Sequence, residues 1–333
     1  MTHIAVEVEL EAATLQAVQQ RTPSPVQILP PHDGWWNWEG PTPEVLLCKR
    51  PPRNLDALPG LRFIQISTVG YEHLRDLGFE NRNIRLCNAR GIFDTAIAEW
   101  NLAMMVNLTR DLRTMIRHQE QGVWERAPRF QQEIRGRVVG IWGYGGIGRA
   151  TAQLARAFGM TIHVMTRLGI FPRESAWAEP GTGDPDGSLP DRVFVQGQDL
   201  TFLGSLDFLI LALPHTRHSE GMIGERELQA LPRSAFLLNP ARGPIVQEQA
   251  LLQALRRGWI AGAALDTHFA YPLPADHPLW RFPNVMLTPH ISGADHSHHF
   301  RSRIGRLFLE NLDRYLAQRP LFNELTRIEW QEA

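Results

Sequence analysis

The stretch that most restricts what this chain can fold into is residues 137–149, RVVGIWGYGGIGR. A short β-branched run, Val138, Val139 and Ile141, leads directly into Gly143-x-Gly145-x-x-Gly148. The following RATAQLARAFG places Ala152, Leu154, Ala155 and Phe158 at helical spacing. Strand, glycine turn and helix in that order make a binding motif for the diphosphate of a dinucleotide. Gly143 permits the tight turn, Gly145 admits the diphosphate to the backbone, and Gly148 lets the helix lie close on the strand. Backbone N–H groups and the positive end of the helix dipole then meet the phosphates. Gly143, Tyr144, Gly145, Gly146, Ile147 and Gly148 are therefore the expected diphosphate loop.

The remainder of the chain is large enough for a second domain. At 333 residues it exceeds what one small core fills. A net charge of -1 gives no support for a nucleic-acid or membrane-surface partner. The longest apolar runs, such as FLILAL at 208–213, are too short to span a bilayer. The acidic start, MTHIAVEVELEAA, lacks the layout of a signal peptide. Cys48 and Cys87 stand in no metal or redox spacing, which suggests two buried thiols in a reducing, cytoplasmic setting.

Along the chain, short apolar runs alternate with helical patterns, the signature of parallel βαβ units. Residues 2–10, 26–30, 44–49 and 61–67 read as strands, with a helical stretch near 12–20. The loop PPHDGWWNWEGPTP carries Trp35, Trp36 and Trp38, which fit a domain or subunit interface or the wall of a substrate pocket. A long amphipathic helix starts near Asp94 and runs toward the glycine motif as a bridge between domains. Past the motif, TIHVMTR (161–167) is the next strand, and residues 169–191 read as a Gly/Pro/Asp-rich surface insertion. The runs at 206–214, 234–246, 260–269 and 284–293 repeat the strand layout. They end in Pro214, Arg242, Asp266 and His290, on the rim where ligands of parallel sheets bind. A last helix, about 300–318, closes the chain.

An NAD site would place Asp or Glu about 20 residues beyond the motif, on the ribose hydroxyls. Here the strand ends in Thr166 and Arg167. A guanidinium suits a 2′-phosphate, so NADP(H) is expected over NAD(H), with NAD(H) still possible.

The stretches GYGGIGR, NPARGPIV, AALD with PLPADHPLW, and NVMLTPHISG resemble the D-isomer-specific 2-hydroxyacid dehydrogenase family, over essentially the whole length. The resemblance implies an α/β fold: a Rossmann-type doubly wound parallel sheet inserted into a smaller flavodoxin-like α/β substrate domain. Residues 1–100 and 294–333 would form the substrate domain and 101–293 the dinucleotide-binding domain. It further implies catalysis in the cleft and a homodimer paired mainly through the cofactor domains. By the same resemblance, Arg242 grips the carboxylate of a small 2-ketoacid and polarises its carbonyl. His290 is the general acid, and the N–H groups of Val69 and Gly70 hold the carboxylate. Asp266 stands at the nicotinamide end, while Leu213, Pro214, Ala241 and Gly293 line the dinucleotide groove.

One position departs from the family pattern. A Glu usually precedes the Pro near the catalytic histidine; this chain has Tyr271-Pro272. A phenol orients an imidazole but stabilises its cation less than a carboxylate does, unless Asp266, Asp295 or the substrate's charge substitutes. Three functions follow. The first is a 2-ketoacid reductase of the glyoxylate/hydroxypyruvate type. The second is a formate- or phosphite-type dehydrogenase needing no proton relay, although Phe93 stands where a formate-binding asparagine would fall. The third is a dinucleotide-sensing binding protein, against which the presence of both Arg242 and His290 argues. No metal is expected: His296 and His299 share one short helical start, whereas zinc ligands are usually drawn from separate elements. Glu99 reads as structural, and Ser219 and Ser292 lack the setting of a nucleophile. Arg50 and Arg53 suit either an anionic substrate tail or the surface.

Overall fold

The computed structural model describes all residues except Met1, 31–33, Asn37, Glu39, Arg75, Asp76, Glu80, Asn81, Glu174, Ser175 and 327–333. The chain divides into two compact units, Met1–Phe93 with Glu174–Pro180 and Asp295–Ala333, and Asp94–Arg173 with Gly181–Ala294.

The first unit holds five short parallel strands: β1 (Ile4–Val6), β2 (Gln27–Ile28), β3 (Val45–Cys48), β4 (Phe63–Ile66) and β5 (Arg85–Cys87). Their order is β2-β1-β3-β4-β5, the doubly wound order of flavodoxin-like sheets. Every residue of β3 and β4 is buried, as a sheet covered on both faces requires. Helix α1 (Ala12–Gln19) packs on the final helix, α8 (His298–Leu316). A β-carbon on Gly305 of α8 would stand 2.8 Å from Thr14 of α1, so the close approach depends on that glycine.

The second unit contains seven parallel strands: β6 (Val138–Trp142), β7 (Thr161–Thr166), β8 (Arg192–Val195), β9 (Phe208–Leu211), β10 (Phe236–Asn239), β11 (Gly262–Leu265) and β12 (Val285–Leu287). They run in the order β12-β11-β10-β9-β6-β7-β8. The direction of winding therefore reverses between β6 and β9, the topological switch point of a Rossmann sheet. The helices here are α2 (Asp94–Arg110), α3 (Leu112–Gln121), α4 (Gly146–Ala157), α5 (Asp199–Leu203), α6 (Glu225–Ala230) and α7 (Glu248–Arg257).

Several expectations need correction. Helix α2 does not bridge: it lies wholly in the second unit, packed on α4, where buried Asn101 Nδ2 donates to Thr151 Oγ1 at 3.0 Å. The compact units part at 93/94 in this stretch. The 169–191 stretch is not simply a surface insertion. Its central residues, 176–180, pack with the first unit, where Trp177 is buried and donates from Nε1 to Glu310 at 3.2 Å. Trp36 belongs to the first unit's own core, bracketed by two hydrogen bonds to Asn54 and stacked 6.1 Å from Trp38. Trp35 is exposed. Strand β8 escapes the sequence reading because only Phe194 of its four residues is buried. Cys48 and Cys87 are free and buried, and burial pushes both thiols well above their usual range. No described helix is long and apolar enough to cross a membrane. Among the described residues no group of three His, Cys, Asp or Glu side chains could hold a metal.

Candidate active site

The glycine turn follows β6 at the switch point. Gly143 has φ +99°, donates its N–H to Met165 O at 2.9 Å, and leaves no room for a β-carbon, which would stand 2.5 Å from Ala212 O at the end of β9. A β-carbon on Gly148 would collide with Gly143 O, so helix α4 starts directly against the turn. Gly145 is different: it is exposed, and a β-carbon there would meet no atom within 4 Å. Two glycines are thus demanded by the protein's own packing. The third leaves the backbone open to an incoming group at the start of a twelve-residue helix. That arrangement fits a dinucleotide diphosphate.

Tyr144, a residue of the expected diphosphate loop, turns its side chain inward. Its hydroxyl donates to Asp184 Oδ2 at 2.6 Å, and burial followed by that bond pushes the phenol far above its ordinary value. Burial alone would raise the Asp184 carboxyl. The Tyr144 hydroxyl, the N–H groups of Leu189 and Ser188 and the Arg149 charge together hold it below the usual range. Arg149 is 4% exposed and donates to the carbonyls of Tyr144, Phe171, Asp184 and Pro185. The glycine motif therefore also anchors the 169–191 stretch, a role the sequence reading missed. At the end of β7, Thr166 Oγ1 accepts from Gly169 N at 2.8 Å and Arg167 is exposed. After β9, Leu213 is half-buried and Pro214 exposed. Ser219 Oγ donates to Pro214 O at 2.7 Å, so that serine closes a turn.

At the end of β10, Asn239 is 1% exposed. It accepts from Ala241 N at 3.1 Å and donates to Arg242 O at 2.9 Å. This side chain shapes the turn that presents Arg242. The Arg242 side chain is half-buried and donates from Nη1 to Ala241 O at 2.8 Å. Gly243 is compulsory, since a β-carbon would collide with His268 O.

Asp266, past the end of β11, is fully buried. Its carboxylate accepts from Thr288 Oγ1 at 2.5 Å, Ile291 N at 2.9 Å and Ser292 N at 3.0 Å. The contacts it makes hold the loop after β12 that carries His290 and Gly293. Trp100 Nε1 donates to Thr288 Oγ1 at 3.2 Å from helix α2, and His268 Nε2 lies 2.8 Å from Thr288 O. His290 itself is exposed, with φ +58°, an uncommon conformation for a residue with a side chain. The neighbouring Tyr271 ring stands 5.6 Å from the His290 ring, and its hydroxyl accepts from His268 N at 3.3 Å. Asn239, Thr288, Trp100 and His268 were not singled out from the sequence. For Asn239 and Thr288 the available signal was a polar side chain directly before a proline (Asn239-Pro240, Thr288-Pro289).

Val69 and Gly70 lie in the first unit, past the end of β4. Buried Asn88 donates to Val69 O at 2.9 Å and Thr68 Oγ1 donates to Gly70 O at 2.9 Å. The carbonyls of the loop are thus occupied by the protein. Also in that unit, Lys49 Nζ lies 3.6 Å from Asp295.

A seven-stranded parallel sheet with this glycine turn at its switch point defines a dinucleotide-binding domain. The chain belongs to the D-isomer specific 2-hydroxyacid dehydrogenase family, whose NAD binding domain matches residues 102–179 and 191–292. It is 33% identical over 278 residues to a glyoxylate reductase from Thermofilum pendens, covering 81% of this chain and 77% of that protein. It is 32% identical over 246 residues to glyoxylate/hydroxypyruvate reductase B of Yersinia enterocolitica, covering 73% and 71%. Among solved structures, a D-isomer specific 2-hydroxyacid dehydrogenase from Xanthobacter autotrophicus in complex with NADPH superposes with a TM-score of 0.79. The match has 25% identity and covers 99% of this chain and 100% of that one.

Proposed function

We propose that this enzyme is an NADP(H)-preferring reductase of small 2-ketoacids, of the glyoxylate or hydroxypyruvate type, with the matching D-2-hydroxyacid as the reverse substrate. The observation that carries this reading is the placement of Arg242 and His290. They follow β10 and β12, which flank β11 in one parallel sheet. At about 4.8 Å between strands, their stems rise roughly 10 Å apart on the same rim. That spacing suits a three-atom carboxylate and carbonyl held between a guanidinium and an imidazole. Arg242 binds the carboxylate and polarises the ketone, a task for a planar fork that stays charged. His290 delivers the proton to the carbonyl oxygen. The nicotinamide, when bound, supplies the hydride. Reductases among the relatives and the NADPH-bound structural neighbour support the cofactor and the direction, as does Arg167 at the end of β7.

The test is NADPH oxidation with glyoxylate, hydroxypyruvate, pyruvate and phenylpyruvate, beside formate and phosphite with NADP+. Turnover of the first panel, lost on Arg242→Gln, is expected; turnover of formate or phosphite alone overturns it. The same reading includes a homodimer formed through the second unit and, with its two free thiols, a cytoplasmic location. Ile116 on α3 and the following Val123 and Trp124 are exposed there, Trp124 at 90%.

A further inference from the structure

The glycine motif offers a diphosphate no cation of its own. Between Gly143 and Gly148 there is no basic side chain, and Arg149 is buried and committed to four carbonyls. A carboxylate instead lies at the positive end of α4. A β-carbon on Gly146 would collide with Asp94 Oδ2, and Asp94 is 8% exposed. Alone, that charge would repel a phosphate from the pole that should attract it. The same β-carbon would stand 2.7 Å from Arg173 Nη1. Arg173 comes from the 169–191 stretch, two residues after Phe171, whose carbonyl Arg149 holds at 2.5 Å. Although its stretch reads as a loop, the Arg173 side chain is half-buried.

We propose that Arg173 is the cation that grips the diphosphate of the bound dinucleotide, brought to the start of α4 by the loop that Arg149 anchors. Gly146 is then required because its missing side chain makes room for the carboxylate and the guanidinium. Asp94 offsets part of the Arg173 charge and orients it, and a planar fork of donors matches phosphate oxygens. This inference rests on the dinucleotide-dependent reading above and adds a residue that supplies binding rather than chemistry.

The experiment is a titration of wild type, Arg173→Gln and Arg173→Lys with NADPH and with NADH, followed by tryptophan fluorescence, alongside thermal unfolding. Loss of a charge-assisted contact is expected to weaken both dinucleotides by about tenfold or more in Arg173→Gln. Because the diphosphate is common to both, the NADPH-to-NADH ratio should stay constant. Arg173→Lys should recover part of the loss. Unchanged affinities overturn the proposal, as does a changed ratio, which would assign Arg173 to the 2′-phosphate. A lowered unfolding midpoint without lysine rescue overturns it in favour of a purely structural role. If wild type binds neither dinucleotide, the functional reading fails with it, and that outcome is distinct from the others.

Discussion

The Tyr271 and His290 rings stand 5.6 Å apart, centroid to centroid, with their planes inclined by 53°. The phenol oxygen accepts a hydrogen bond from His268 N at 3.3 Å. A ring therefore buttresses the imidazole at the position where the resemblance in sequence implies a carboxylate. Placing a carboxylate there should stabilise the imidazolium. For Tyr271→Glu the alkaline limb of the kcat/KM profile for ketoacid reduction should move to higher pH. Tyr271→Phe should leave that limb in place. An unmoved limb in Tyr271→Glu would show that position 271 does not act on His290.

Asp266 should matter through the loop it holds. Asp266→Asn keeps one acceptor but turns an amide donor toward the N–H of either Ile291 or Ser292, which bond to different oxygens of the carboxylate. An unpaired buried donor costs about 1–3 kcal/mol, and displacing a catalytic group by about 1 Å can cost roughly a hundredfold in rate. Single-turnover rates should therefore fall by about that factor, while the Kd for NADPH changes little. Equal loss in both would place Asp266 against the cofactor after all.

Arg167 should set the choice of dinucleotide. Steady-state kinetics with both cofactors are expected to give a higher kcat/KM for NADPH. Arg167→Glu should reverse that preference, at a cost of about ten- to a hundredfold on NADPH from the lost charge-assisted contact. A wild-type preference for NADH sinks the assignment.

Acid should destabilise the second unit through His163. Burial, then the charge of Arg192, lowers the affinity of this ring for a proton below its ordinary value of 6.5, against a weaker opposing pull from Asp191. Below pH 6.5 the unfolded chain takes up a proton that the folded one resists, so stability present above that pH is lost as the pH falls. The fall in Tm between pH 7 and 5 should be shallower in His163→Gln. An unchanged slope would assign the acid sensitivity to other groups.

Trp124, 90% exposed after a helix with no buried residue, should mark the dimer surface. Light scattering on wild type should give the mass of two chains, and Trp124→Glu should shift it toward one. A dimer that persists places the interface elsewhere.

The sequence by itself determined the alternation of apolar runs and helical patterns, and hence two parallel sheets, because burial imposes its period locally. It also determined the glycine turn, since only glycine satisfies the crowding at Gly143 and Gly148. What the tertiary structure alone decided is where long-range partners lie. The strand order that sets β10 beside β11 and β12 depends on hydrogen bonds between residues far apart in the chain. Asp266 turning to Thr288, Tyr144 to Asp184 and Trp36 into its own core follow from the same non-local pairing. A buried polar group must find a partner, but its own neighbours in sequence do not say which one.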